Sequence, residues 1–204
     1  MGCDIHLCVE VKYGKDDFWT NADYMRINPY REEREEPYLI PIPLYESRDY
    51  TLFATLANVR NYGGTPYICE PRGVPDDVTD NTYCAIRRWG EDGHSHSYFT
   101  LKELIDFANK NLPIKHSGLI TTEDAKALDE NGVFPVSWCQ WTNAPNYVYR
   151  EWEEPVNESL SYLIDKIKQR ADEIHIIWNF EWEDNYEKAY EKADRIRIVF
   201  WFDN

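Results

Sequence analysis

The chain has 204 residues, long enough for one domain with a proper core, and carries 37 acidic against 22 basic side chains for a formal charge of −15. Hydrophobic content of 43% with 15% aromatics excludes a disordered chain, and no apolar run approaches the ~20 residues of a membrane helix. The acidic balance argues against broad contact with duplex nucleic acid or anionic lipid, and it suits a basic partner protein.

Five cysteines, an odd number with no Cys-x-x-Cys pair, predict reduced thiols. The first residues lack a basic region followed by an apolar stretch, so the expected location is the cytoplasm and not the exterior.

Residues 1–13 read as a strand of period two. Ile5, Leu7, Val9, Val11 and Tyr13 point one way, and Asp4, His6, Cys8, Glu10 and Lys12 the other. A hairpin turn at 14–17 leads to a short partner strand at Phe18, Trp19 and Thr20. Residues 27–48 hold four prolines and the charge run 31–36, and read as irregular. Asp49 then caps a short helix with Leu52, Phe53, Leu56 and Val59 inward.

Residues 60–80 are rich in Gly and Pro, the composition of a loop with a function. A helical stretch at 79–89 is followed by a loop containing His94 and His96. Thr100 and Glu103 form a capping box for a helix with Leu101, Leu104, Ile105 and Ala108 on one face.

Thr122 opens another helix ending at Asn131 and Gly132, and residues 134–141 read as a buried, aromatic-rich strand. Asn157 or a neighbour caps a longer helix, residues 173–182 read as a strand, and a helical turn or two lies around Tyr186 and Tyr190. Residues 195–202 close the chain as a strand that fits beside the first. No repeat or linker divides residues 1–204. The expected fold is α/β or α+β, a single domain with a mixed β-sheet packed by helices and long irregular loops.

Chemistry-bearing residues concentrate in Asp4-x-His6 and Gly93-His94-Ser95-His96. Carboxylates and neutral imidazoles converging from rigid elements hold divalent metals, so Asp4, His6, His94 and His96 are candidate ligands for zinc, manganese or iron, with His116 or His175 as further donors. Such a metal activates water for hydrolysis of a phosphate ester. Without one, His6, His94 and His96 are candidate acid–base catalysts. The bland alternative is that Asp4 and His6 satisfy each other or nearby backbone and that His94 and Ser95 cap a turn.

The spacings resemble the first and last motifs of calcineurin-like metallophosphoesterases. The Gly-Asp and Gly-Asn-His elements of that family are missing from residues 7–92, so only the chemical analogy is kept.

A second constellation joins Arg60, Asn61, Tyr62, Gly63 and Gly64 to Pro71, Arg72 and Gly73. Guanidinium groups and open backbone N–H groups in such loops can cradle a phosphate, with aromatic rings to stack on a base. Arg60, Asn61 and Arg72 are therefore candidate substrate-binding residues. The glycine spacing fits neither a P-loop nor a Rossmann turn.

Five segments carry a resemblance. They are Met1-Gly-Cys-Asp-Ile-His6, Asp49-Tyr-Thr-Leu-Phe-Ala-Thr-Leu-Ala-Asn-Val-Arg60, Glu70-Pro-Arg-Gly-Val-Pro75, Asp92-Gly-His-Ser-His-Ser-Tyr-Phe-Thr-Leu-Lys-Glu-Leu104 and Arg197-Ile-Val-Phe-Trp-Phe-Asp-Asn204. With them the chain resembles a family of uncharacterised proteins met mostly in bacteriophage and in bacterial genomes. The resemblance implies an accessory, phage-type protein working in the bacterial cytoplasm, and it implies no particular activity.

Two functions are then expected to compete. One is a metal- or histidine-assisted phosphodiesterase acting on a nucleotide-like molecule. The other is a non-enzymatic counter-defence protein that binds a host protein or sequesters a signalling nucleotide.

Overall fold

A computed structural model describes residues 2–13, 15–31, 37–155, 157–173 and 186–203. Its centre is an antiparallel sheet in the order β2-β1-β8-β5. Strand β1 is Asp4–Val11, β2 Thr20–Asn21, β5 His94–Thr100 and β8 Ile196–Asp203. The expected neighbourhood of first and last strands is present as a full ladder, from Asp4 opposite Asp203 to Val11 opposite Ile196. Every pairing among the described strands is antiparallel. Of the two fold classes open at the outset, the fold is α+β.

Alternation in β1 and β8 sends Ile5, Leu7, Val9 and Val11 to one face with Ile196, Ile198, Phe200 and Phe202. Three helices cover that face: α1 (Tyr50–Ala57), α3 (Leu101–Ala108) and α5 (Glu158–Glu173). Their buried residues include Leu52, Phe53, Leu104, Ile105, Leu163 and Ile167, and Phe53 meets Phe202 edge-to-face at 5.1 Å.

The caps are as the sequence predicts. Asp49 accepts from the Leu52 N–H, Thr100 and Glu103 form a reciprocal box, and Asn157 accepts from the Leu160 N–H.

The opposite face of the sheet is covered too. Helix α2 (Asp80–Arg87) and the loop before it lay Ala85, Ile86, Val74 and Val78 over Cys8, Val199 and Trp201. Glu10 is buried there with Arg197, whose Nε and Nη2 lie 2.8 and 2.7 Å from its carboxylate, and the Arg197 Nη1 reaches Asp77 at 2.7 Å. Thr79 caps α2 and donates its hydroxyl to Glu10 at 2.7 Å, so one acidic residue on a nominally polar strand face anchors the loop to the sheet.

Two smaller strand pairs complete the fold. Strands β3 (Met25–Ile27) and β4 (Leu39–Pro41) bring partial order to a region expected to be irregular. Strands β6 (Ile114–Thr121) and β7 (Tyr147–Glu154) pair in antiparallel fashion around α4 (Thr122–Asn131), with Ile120, Ala125 and Trp152 as a local core.

The buried strand expected at 134–141 is not formed. That segment is a surface run with a single bridge, Leu119 to Cys139, and Val136 is 97% and Trp141 74% exposed. Aromatic composition signals contact area but does not say whether protein or solvent lies against it.

Helix α6 (Tyr186–Lys192) agrees with the expected turns before β8. The strand expected at 173–182, with His175, lies outside the described residues beyond Glu173, which ends α5, and so does most of the charge run 31–36. Among the described residues no helix is long and apolar enough to cross a membrane.

Candidate functional site

The two histidines expected in a loop stand instead on the edge strand β5, and a bulge decides where they point. His94 lies opposite Phe202 and Ser97 opposite Phe200, so three steps on β5 match two on β8. Ser95 takes up the extra residue with φ of 51°. Regular alternation would put His94 and His96 on one face. With the bulge, the His94 ring stacks over the core residue Phe202 at 6.1 Å, and the His96 ring stacks on Trp201 of the other face at 6.5 Å.

His6 shares the face of His96. Its ring is stacked between Trp89 at 4.0 Å and Trp201 at 5.6 Å, and its Nε2 lies 3.5 Å from the Asp203 carboxylate. Burial lowers the His6 pKa against the opposing pull of Asp203 and Asp4, and burial followed by the neighbouring His94 lowers that of His96. Both rings are therefore neutral at neutral pH.

Asp4 is engaged elsewhere. Its two oxygens accept from Nε and Nη2 of Arg48 at 2.8 and 2.7 Å, which holds its carboxyl below the usual range. The four expected metal ligands are thus divided between two faces and an ion pair. Among the described residues no three carboxylate, imidazole or thiol groups are grouped closely enough to hold a metal.

Arg48 opens onto a cleft of about 630 Å³. One wall is the start of α1 and the loop at 60–65, and the other is β6 with residues 137–140. Arg48, Arg60 and Lys115 line it from three separate segments, with Arg48 paired to Asp4 and the Lys115 ammonium 3.5 Å from Glu153. Asp49 lines it too, with its carboxylate on the α1 cap and the Tyr45 hydroxyl, and Asp4, Glu153 and Glu154 pair with the lining Arg48, Lys115 and His116.

The opening residues shape this cleft from behind. A side chain at Gly2 would strike the Arg48 guanidinium, which fills the space next to it, and the buried Cys3 thiol lies against Arg60. Arg60 itself has φ of 54°, an unfavourable backbone for a side chain of its type, and its Nη1 meets the Tyr62 hydroxyl at 3.1 Å.

Asn61 lines the cleft, but its amide clamps the loop. Oδ1 accepts from the Thr65 N–H at 2.7 Å, and Nδ2 donates to the Thr65 carbonyl at 2.8 Å. Its role is to shape the loop.

Arg72 is remote from the cleft. It binds Glu103 at 2.7 Å, donates to the Tyr98 carbonyl and lies 4.5 Å over Phe99, so it fastens its loop to β5 and α3.

His116 also lines the cleft, more than nine-tenths buried, between Trp138 at 4.8 Å and Trp152 at 5.2 Å. Its Nε2 makes no hydrogen bond and lies 3.4 Å from Glu154. Burial depresses its pKa, while Glu154 and Asp49 pull the other way.

Of the residues singled out in the sequence, the fold gathers Arg60, Asn61 and His116 in one cleft and His6 and His96 beside Trp201. It leaves Arg72 and His94 outside both. Arg48, Lys115 and Asp203 carry no motif, and only the strand register and loop packing bring them to the site.

No protein-family model, curated protein or solved structure matches the chain, so the functional reading rests on the residues themselves.

Proposed function

We propose that the protein binds a small, phosphate-bearing, nucleotide-like anion in this cleft and holds it without turnover, as a phage-type accessory protein of the bacterial cytoplasm. The observation that carries this reading is the meeting of Arg48, braced by Asp4, and Arg60 on one cleft that Lys115, paired with Glu153, also lines. Guanidinium forks match phosphate oxygens, and the volume lies within the range of small-molecule sites. Tyr50, Tyr62 and Trp138 offer ring faces for a base. The location and the accessory role are supported by the resemblance of the five segments described above.

The test is isothermal titration with a nucleoside triphosphate. Binding should be saturable and should weaken about tenfold or more in Arg60→Ala and Arg48→Ala, since guanidinium–phosphate contacts are charge-assisted and bidentate. Circular dichroism checks that both variants fold. Absence of binding by the wild-type protein would sink the reading.

A second reading, hydrolysis of a phosphodiester, is favoured by one observation: the His116–Glu154 pair lies beside those cations, with an imidazole kept neutral and able to accept a proton. Release of a phosphomonoester from a phosphodiester ligand, abolished in His116→Gln, would replace sequestration by catalysis.

A further inference from the structure

Residues 131–149 contain no Asp, Glu, Lys, Arg or His, an uncharged run in a chain where 29% of residues are Asp, Glu, Lys or Arg. The run leaves α4, forms a rim along the cleft at residues 137–140 and returns as β7. Its large apolar side chains face outward. Val136 is 97% exposed, Trp141 74% and Val133 56%, and Phe134, Trp138 and Tyr149 are exposed as well. Such a succession in one segment is unlike the single apolar residues scattered over an ordinary surface.

The rim is held in place. Gly132 ends α4 in the left-handed conformation, and the Val133 N–H donates to the Ala127 carbonyl. Cys139 exchanges backbone hydrogen bonds of 2.8 and 3.1 Å with Leu119, and the Gln140 amide donates to the Ser117 carbonyl at 2.9 Å. Trp138 packs edge-on against Trp152 at 5.3 Å. A side chain at Gly118 would come within 2.9 Å of the Trp138 ring and 3.1 Å of the Cys139 carbonyl, so glycine is what admits this approach. Val136 and Trp141 stand on a fixed support, and a partner that meets them has little loop to order.

Acidic side chains border the rim. Glu130 is the last residue but one of α4. Glu151 lies on β7 opposite Ser117, in one row with Gln140, and accepts from the Tyr149 hydroxyl at 2.9 Å. Residues 114–154 hold seven acidic side chains against three basic ones. Two of those three are taken up in ion pairs, Arg150 with Asp129 and Lys115 with Glu153.

We propose that this rim docks a partner protein through apolar side chains ringed by lysine or arginine. The apolar anchors meet Val136 and Trp141, and the cations meet Glu130 and Glu151. Tryptophan is among the residues that dominate interface energies, and complementary charge at the border speeds encounter and selects the partner. Charge also decides against the other occupants. A second copy brings the same acidic border and a further −15, and anionic lipid or nucleic acid meets the same repulsion. This surface does not depend on what the cleft binds.

The experiment titrates three synthetic peptides of about fifteen residues against the full chain: one of lysine with leucine and tryptophan, one of lysine with serine and glycine, and one of glutamate with leucine and tryptophan. Fluorescence anisotropy of the labelled peptide is the readout. The first should bind about tenfold or more tightly than either of the others. Val136→Ser and Trp141→Ser, both at exposed positions, should each weaken it about fivefold. Glu130→Gln with Glu151→Gln should reduce its affinity and flatten the fall of affinity with added salt. Circular dichroism checks that the variants fold.

Failure of the first peptide to bind would overturn the proposal, as would binding no tighter than that of the second or indifferent to Val136→Ser and Trp141→Ser. Preference for the glutamate peptide would overturn the role of the acidic border. A concentration-dependent dimer in sedimentation velocity, lost in Trp141→Ser, would assign the rim to a second copy. The nucleotide titration should be unchanged in Val136→Ser, and a change there would make the rim part of the cleft.

Discussion

Asp4 and Arg48 are joined by two parallel contacts, 2.8 and 2.7 Å long, at the point where the first strand meets the cleft. The geometry uses the Nε and Nη2 edge of the guanidinium and leaves the rest of the fork for another anion. Asp4, a candidate metal ligand in the sequence, holds the Arg48 guanidinium in place at the edge of the cleft.

Asp4→Ala should therefore weaken nucleotide binding even though it removes a negative charge near the cleft. The expected loss is about fivefold, because a well-aligned bidentate pair lies at the upper end of exposed ion pairs. Calorimetry of wild type, Asp4→Ala, Arg48→Ala and the double variant checks it. The two single effects should be less than additive. Tighter binding in Asp4→Ala would show that the charge of Asp4 matters more than its hold on Arg48.

Arg197 and Glu10 form a fully enclosed pair inside the second layer. Arg197→Met leaves the Glu10 carboxylate buried with only Thr79 as a partner and should cost about 3–5 kcal/mol. Replacing both by Met should recover much of that loss, since two matched apolar side chains need no desolvated charge. Urea denaturation of the single and double variants measures the difference.

Asp23 supplies a pH signature. Half-buried, it accepts from the Val9 N–H and the Asn21 amide, and burial raises its pKa from 3.8 to about 6. The folded state then binds the proton more tightly than the unfolded chain, so this group makes stability fall as pH rises from about 4 to about 6. In Asp23→Asn that contribution disappears. Thermal unfolding across this window should show wild type losing ground to the variant as pH increases. Parallel curves would mean that the carboxyl titrates normally.

Gly118→Val tests the rim. The new side chain would press on Trp138 and the Cys139 carbonyl, and the segment must move away from β6. A destabilisation of about 1–3 kcal/mol, typical of overpacking, should accompany a change in tryptophan emission. Nucleotide binding should weaken as well, because residues 137–140 form one wall of the cleft.

Much of the fold could be read in the chain because local signals and burial agree. The caps at Asp49, Thr100, Thr122 and Asn157 sit within one residue of the observed helix starts, and the alternation of β1 and β8 matches their shared core face. The cleft was half legible. Arg60 and Asn61 stood out through the Gly-rich loop, whereas Arg48 and Lys115 belong to no pattern and meet only in three dimensions. His94 and His96, expected in a loop, stand on β5, where one extra residue, Ser95, turns their rings to opposite faces, and nothing in residue type announces a bulge of that kind.

The ladder between β1 and β8 joins residues up to 199 positions apart at the middle of the sheet. During synthesis, β1 leaves the ribosome long before its principal partner β8 arrives. Until then, among the described residues, it has the two-residue strand β2 beside it, and an apolar strand lacks its main cover. Folding should thus be late and concerted, with a rate set by closure of one very long loop. A nascent chain stopped short of residue 196 has no central pair, and is expected to be a substrate for chaperones or proteases and not a partly working protein.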